Sequence, residues 1–164
     1  MAETQRRRVP LLASDELSTT LAFLDFQREA VLIKCDGLSE DQLRHVAVSS
    51  GTNLLGLIRH LEVSERWWFH HHVAGADWPD DWTFSMDVAK EFRPADVIAD
   101  YRDAWAHSND VIRRIGDPGA LTSLPVDDRP LPLRWVMAHM ITEVARHAGH
   151  ADILREQLDG TTGR

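Results

Sequence analysis

Apolar residues recur at spacings of three and four in four long stretches of this chain, the period of an α-helix with one buried face. The first stretch runs through Leu17, Leu21, Leu24, Ala30 and Val31. Ser14 before it reads as the capping residue, Asp15 and Glu16 suit the positive end of a helix, and Asp36-Gly37 marks the stop. A short piece follows in which Ser39 and Gln42 have capping-box spacing. The second long stretch carries Leu54, Leu57, Ile58, Leu61, Glu65 and Trp68, with the hydroxyls of 49–52 available as caps and fraying expected near Gly75. The third opens at Pro94, a good first-turn residue, and carries Val97, Ile98, Tyr101, Trp105, Val111, Ile112 and Ile115 before Gly116-Asp-Pro-Gly119 ends it. The fourth begins near Pro132, runs to about Leu158 and stops at Gly160. No strand alternation competes, so the pattern predicts an all-α four-helix bundle. The two long connections, 75–93 and 120–131, exceed what a compact bundle needs, and long loops are disproportionately functional.

Composition narrows the setting. The 164 residues suit one domain, 1–164, with 1–13 expected to be a flexible tail. A formal net charge of -8 argues against nucleic acid or an anionic membrane as the main partner. The single Cys35 permits no intramolecular disulfide, and no apolar run approaches the roughly 20 residues of a membrane span, which together point to a cytoplasmic protein. Arg6-Arg7-Arg8 lacks the apolar stretch of a signal peptide and reads as a solvated tail.

The chemistry concentrates on the fourth helix. At about 100° per residue, His139, Glu143, His147 and His150 fall within an arc of about 80° at the border of the apolar face. Imidazoles and a carboxylate are costly to bury unless something pairs with them, and a divalent ion would. His60 lies at the edge of the second helix's apolar face, so two helices can offer ligands to one cavity. Glu143 and His147, four residues apart and so about 5–6 Å apart at Cβ, are favoured as the pair, with His60 third. By spacing alone, His147 with His150 and His139 with Glu143 also serve. Two imidazoles, one carboxylate and an open position is the pattern of catalytic zinc and non-haem iron sites. His70-His71-His72 points several ways on a helix and reads as surface. Trp78 and Trp82, in the loop, are expected to cover a pocket mouth or a dimer surface. Arg146 and Arg155 read as surface ion pairs before carboxylate binders, and Cys35 as a small buried residue rather than a nucleophile.

Two segments carry a family resemblance: Leu133-Arg-Trp-Val-Met-Ala-His139 through Glu143, His147 and His150 to Glu156, and Asn53-Leu-Leu-Gly56 through His60 to Trp67-Trp68-Phe69. In these the chain resembles the DinB-like superfamily (DinB/YfiT-like), and within it the mini-circle branch, related to mycothiol-dependent isomerases and transferases. The resemblance implies an up-down-down-up bundle with metal held by one His of the second helix and two ligands of the fourth. Glu143 stands where many members have a His, as it does in the mycothiol-dependent relatives. The implied metal set is His60, Glu143 and His147, with His150, His139, Ser64, Trp67 and Arg146 as pocket or supporting residues. Zinc is the first expectation for the metal, with nickel, iron or manganese open. The expected activity is transfer of a mycothiol-like thiol to a small electrophile. The alternatives are a hydrolase using metal-activated water and a non-catalytic metal- or ligand-binding stress protein. A homodimer is compatible with the aromatic-rich surface.

Overall fold

The computed structural model describes residues 8–12 and 14–163. Most of the expected flexible tail, and Arg6 and Arg7 of the basic run, lie outside the described residues. Within them the protein is all-α: α1 (Glu16–Ile33), α2 (Glu40–Leu43), α3 (Leu54–Glu65), α4 (Pro94–Ile115) and α5 (Leu133–Asp159), with a π-helical continuation of α3 over Arg66–Val73. No described residue lies in a strand, and only the isolated bridges Leu121–Pro132 and Val126–Arg129 occur. The latter closes a tight turn in which Asp127 and Asp128 both adopt positive φ, a conformation short polar side chains tolerate.

Local chemistry accounts for the helix ends. Asp15 caps α1 by accepting from the Ser18 N–H, one residue later than Ser14, whose hydroxyl instead donates to Asp15. A carboxylate beside the first-turn amides is the better acceptor, and these bonds hold the Asp15 pKa down at about 2. Ser39 and Gln42 form the reciprocal capping box of α2. Asn53, not the preceding hydroxyls, caps α3 through the Gly56 N–H. Gly116 and Gly160 close α4 and α5 in the left-handed conformation, which L side chains adopt only with strain.

α1 packs along α5 and α3 along α4, with α3 also touching α5. The buried stripes Leu24, Val31 and Leu32 of α1, Leu57, Ile58 and Leu61 of α3, Tyr101 and Ile112 of α4, and Val136, Met140 and Val144 of α5 meet in one core. Each such aliphatic side chain contributes about 1.5–3 kcal/mol by leaving water. The core also holds a polar network that the apolar periodicity did not foretell. Arg28 and Glu65, both fully buried, form a two-pronged ion pair with 2.6 Å for each bond. The guanidinium also donates to Asn109 at 2.8 Å and Asp25 at 2.9 Å, and Trp105 donates to Asp25 at 2.6 Å. Burial disfavours the Arg28 charge, but Glu65 outweighs it and raises the pKa.

Beyond Glu65 the helix widens, with the Ala74 N–H bonding the Phe69 carbonyl five residues back. That geometry turns His70 and His72 inward, which corrects the expectation of a surface triplet: they are 9% and 5% exposed. His70 bonds the Ala104 carbonyl and Ser108 and stacks on His107, while His72 reaches the Leu124 carbonyl. No helix among the described residues is long and apolar enough to cross a membrane.

Candidate metal centre

α3 and α5 bring His60, Glu143 and His147 together although they are 83 residues apart in sequence at the widest bond. His60 Nε2 lies 3.1 Å and His147 Nε2 3.0 Å from the same oxygen, Glu143 Oε1. One ligand atom from each residue lies within 4.8 Å of the others. His147 is buried, and His60 and Glu143 are half-buried, so the cluster sits at a partly open edge of the core.

Each ligand atom is aimed by a contact on its far side. His60 Nδ1 is 3.1 Å from the Phe84 carbonyl oxygen. A carbonyl only accepts, so this bond puts the proton on Nδ1 and leaves Nε2, in the neutral ring, as a lone pair facing the carboxylate. His147 Nδ1 meets His150 Nδ1 at 3.4 Å, a contact that frees Nε2 when His147 is the donor. The second carboxylate oxygen, Oε2, is taken by Arg146 at 2.5 Å, leaving Oε1 to the imidazoles. Three groups able to donate an electron pair thus converge, and with both imidazoles presenting Nε2 as a lone pair they would repel one another unless a cation lay among them. Two imidazoles, one carboxylate and a backbone carbonyl orienting one ring are the donor set and support of a zinc-type site, so the residues present fit a divalent ion.

Electrostatics favour the electron-pair-donating forms of His147 and Glu143. Burial lowers the pKa of His147, against the pull of Glu143, and so favours its neutral ring. For Glu143, burial favours the neutral acid, but the polar surroundings of His60, His147 and the Arg146 guanidinium outweigh it and hold the carboxyl below its ordinary range.

The remaining expected site residues separate by position. His150 touches His147 and lines a cleft of about 230 Å³ with Val48, Ser50, Thr52, Ile153 and Leu154. His139 stacks on Trp135 at 5.4 Å and packs on Trp68 at 4.6 Å, one turn from Glu143. The Ser64 hydroxyl donates to the His60 carbonyl, bracing the backbone under that ring. Trp67 joins Trp78, Phe84, His71 and His72 in an aromatic cluster beside His60, and Trp82 packs on Trp78. Arg155 bonds Asp159 and the Lys34 and Asp36 carbonyls, so it is a structural tie. Cys35 is buried in the turn just past the end of α1, and burial pushes its thiol up to about 12.

Sequence reasoning missed the Phe84 carbonyl, because a backbone acceptor has no side-chain signature. The one available signal was Gly56 inside a helix, where glycine is unfavourable and often marks a close backbone approach. A Cβ at Gly56 would overlap the Met86 carbonyl oxygen, so the loop bearing Phe84 runs directly over α3. Alongside it lies a larger open groove of about 730 Å³ between Arg44, Ser50, Asn53, Ser85, Met86 and Lys90, which shares Ser50 and Thr52 with the smaller cleft.

Comparison with known proteins places this geometry. No curated protein matches the chain. A crystal structure described as the conserved protein of locus from Enterococcus faecalis superposes with a TM-score of 0.61 over 91% of this chain and 100% of that one, at 14% identity, which is a likeness of fold. The mycothiol-S-transferase family profile matches residues 19–160, a span from the second turn of α1 to the end of α5 that contains both halves of the His60–Glu143–His147 cluster. By that match over most of its length, the chain belongs to the mycothiol-S-transferase family, in the DinB-like group.

Proposed function

We propose that the protein is a divalent-metal-dependent transferase that passes a mycothiol-type thiol to a small electrophile, with His60, Glu143 and His147 holding the metal, zinc first. The observation carrying this is the convergence of three potential metal ligands, each contacted from behind by Phe84, His150 or Arg146. A divalent ion bound there would lower the pKa of a thiol brought to it and so supply thiolate near neutral pH.

The chain's own residues do the rest. Glu143 Oε1 balances part of the cation's charge, while Arg146 keeps Oε2 from competing for the same position. His60 and His147 leave the donor set short of four, which is the open character of catalytic rather than structural sites. His150 bonds His147 rather than joining the cluster, which supports that open reading over a closed four-ligand binding site. Cys35, buried and with its thiol pKa raised to about 12, supplies no nucleophile, so the thiol comes from a co-substrate. The groove beside α3 sets Arg44, Lys90, Ser50, Asn53 and Ser85 among the apolar Val46, Met86 and Val88, and is the candidate place for a sugar-like thiol.

The test is turnover of small electrophiles by zinc-loaded protein with and without mycothiol. Turnover that requires mycothiol and disappears in His147→Ala supports the proposal. Turnover that proceeds equally without thiol would assign water as the nucleophile and overturn it.

A further inference from the structure

We infer that Gly56 is a positioning residue for the metal centre, because it lets the loop from Trp82 to Phe92 lie on α3 with the Phe84 carbonyl at His60 Nδ1. This rests on the reading of His60, Glu143 and His147 as metal ligands.

The argument begins with an anomaly. Gly56 sits in the first turn of α3, its N–H bonded to Asn53 and its φ in the ordinary negative range, so no backbone conformation requires glycine there. Glycine inside a helix is unfavourable relative to alanine, so another constraint is at work. That constraint is the Met86 carbonyl, whose oxygen occupies the space a Cβ would take.

The register then follows from geometry. Gly56 and His60 are four residues apart on a helix, a rise of about 6 Å. Met86 and Phe84 are two residues apart in non-helical chain, which spans about 6.6 Å when extended and returns alternate carbonyls to the same side. When Met86 rests on Gly56, Phe84 therefore arrives over His60, and its oxygen is found 3.1 Å from Nδ1.

Further contacts hold this strap at its two ends. Arg44 donates to the Val88 carbonyl at 2.8 Å and the Phe92 carbonyl at 2.5 Å. At the other end, the Arg59 and Arg66 guanidiniums lie over the Trp82 ring at 5.8 and 5.1 Å, and both arginines are paired with the buried Glu62. Of these attachments only the Phe84 carbonyl reaches a ligand. It selects the tautomer that presents the Nε2 lone pair and stops rotation of the ring. Loss of such an orienting partner commonly weakens metal binding about 10–100-fold.

The experiment measures Zn²⁺ affinity of the full chain by chelator competition in the parent, Gly56→Ala, Arg44→Gln and Arg44→Lys proteins, with helix content followed by circular dichroism. Gly56→Ala is expected to bind Zn²⁺ about tenfold more weakly or worse with helix content unchanged. Arg44→Gln should move in the same direction, with Arg44→Lys between it and the parent. The d–d absorption of the Co²⁺-loaded protein should shift in Gly56→Ala, a signal that a purely structural role for Gly56 would leave alone. If Gly56→Ala fails to fold, the Arg44 pair decides. Parent-like Zn²⁺ affinity in Gly56→Ala and Arg44→Gln overturns the inference. A parent protein that binds no Zn²⁺ overturns the metal reading beneath it instead.

Discussion

Arg28 and Glu65 show how much of this protein's stability rests on single residues. Both are fully buried, and each is the other's main compensation. Replacing Glu65 by Leu leaves a buried guanidinium with only the half-exposed Asp25 and neutral Asn109, and should cost about 3–5 kcal/mol in urea denaturation. Adding Arg28→Met to Glu65→Leu should recover most of that loss, since no unpaired charge remains. A second residue-scale prediction concerns acid. Burial, with help from the stacked His107, pushes the His70 pKa down from 6.5 to about 4. Between those values the unfolded chain binds a proton that the folded chain refuses, so stability is present above pH 6.5 and drains away as pH falls toward 4. Burial also lowers His72, His139 and His147, with the same sign. The thermal midpoint should therefore drop on acidification from pH 7, and less steeply in His70→Gln than in the parent. None of this was legible beforehand. Arg28 and Glu65 are 37 residues apart, and nothing in a helical period says that two charged positions on different helices will meet.

Helix boundaries were the legible part at the level of elements, because they depend on neighbours in sequence. Ser39 with Gln42, Pro94 at a first turn, and Gly116 and Gly160 at C-termini all lie where local chemistry places them. The errors were also local. At the start of α1 two capping side chains adjoin, and the carboxylate of Asp15 outcompeted the Ser14 hydroxyl. The widening of α3 at Arg66–Val73 escaped notice because it shifts register by a single residue, too little to blur apolar periodicity but enough to bury His70 and His72. Gly116 gives a test at this scale. Its φ of +66 forces left-handed geometry, so Gly116→Ala should destabilise the fold by about 1–2 kcal/mol in denaturant melts. Zn²⁺ binding should be unchanged, since neither ligand-bearing helix ends there.

For the molecule as a whole, the family match spans 19–160 and so includes both helices that carry the His60–Glu143–His147 cluster and the loop between them. The pairing of His60 with Glu143 and His147 was foreseeable because three chemically apt residues border apolar stripes on two helices. Choosing Glu143 over His139 or His150 needed the family resemblance. In the structure His150 contacts His147, and His139 stacks on Trp135. Metal should couple to global stability because the site exists only in the folded chain. Zn²⁺ at a hundred times its dissociation constant should add about 2.7 kcal/mol, seen as a raised thermal midpoint that EDTA reverses. The most direct measurement is metal content of the purified protein by elemental analysis, compared with a His60→Ala variant. One equivalent of divalent metal per chain in the parent, lost in His60→Ala, is the predicted result. Stoichiometric metal retained without His60 would contradict a centre built between α3 and α5.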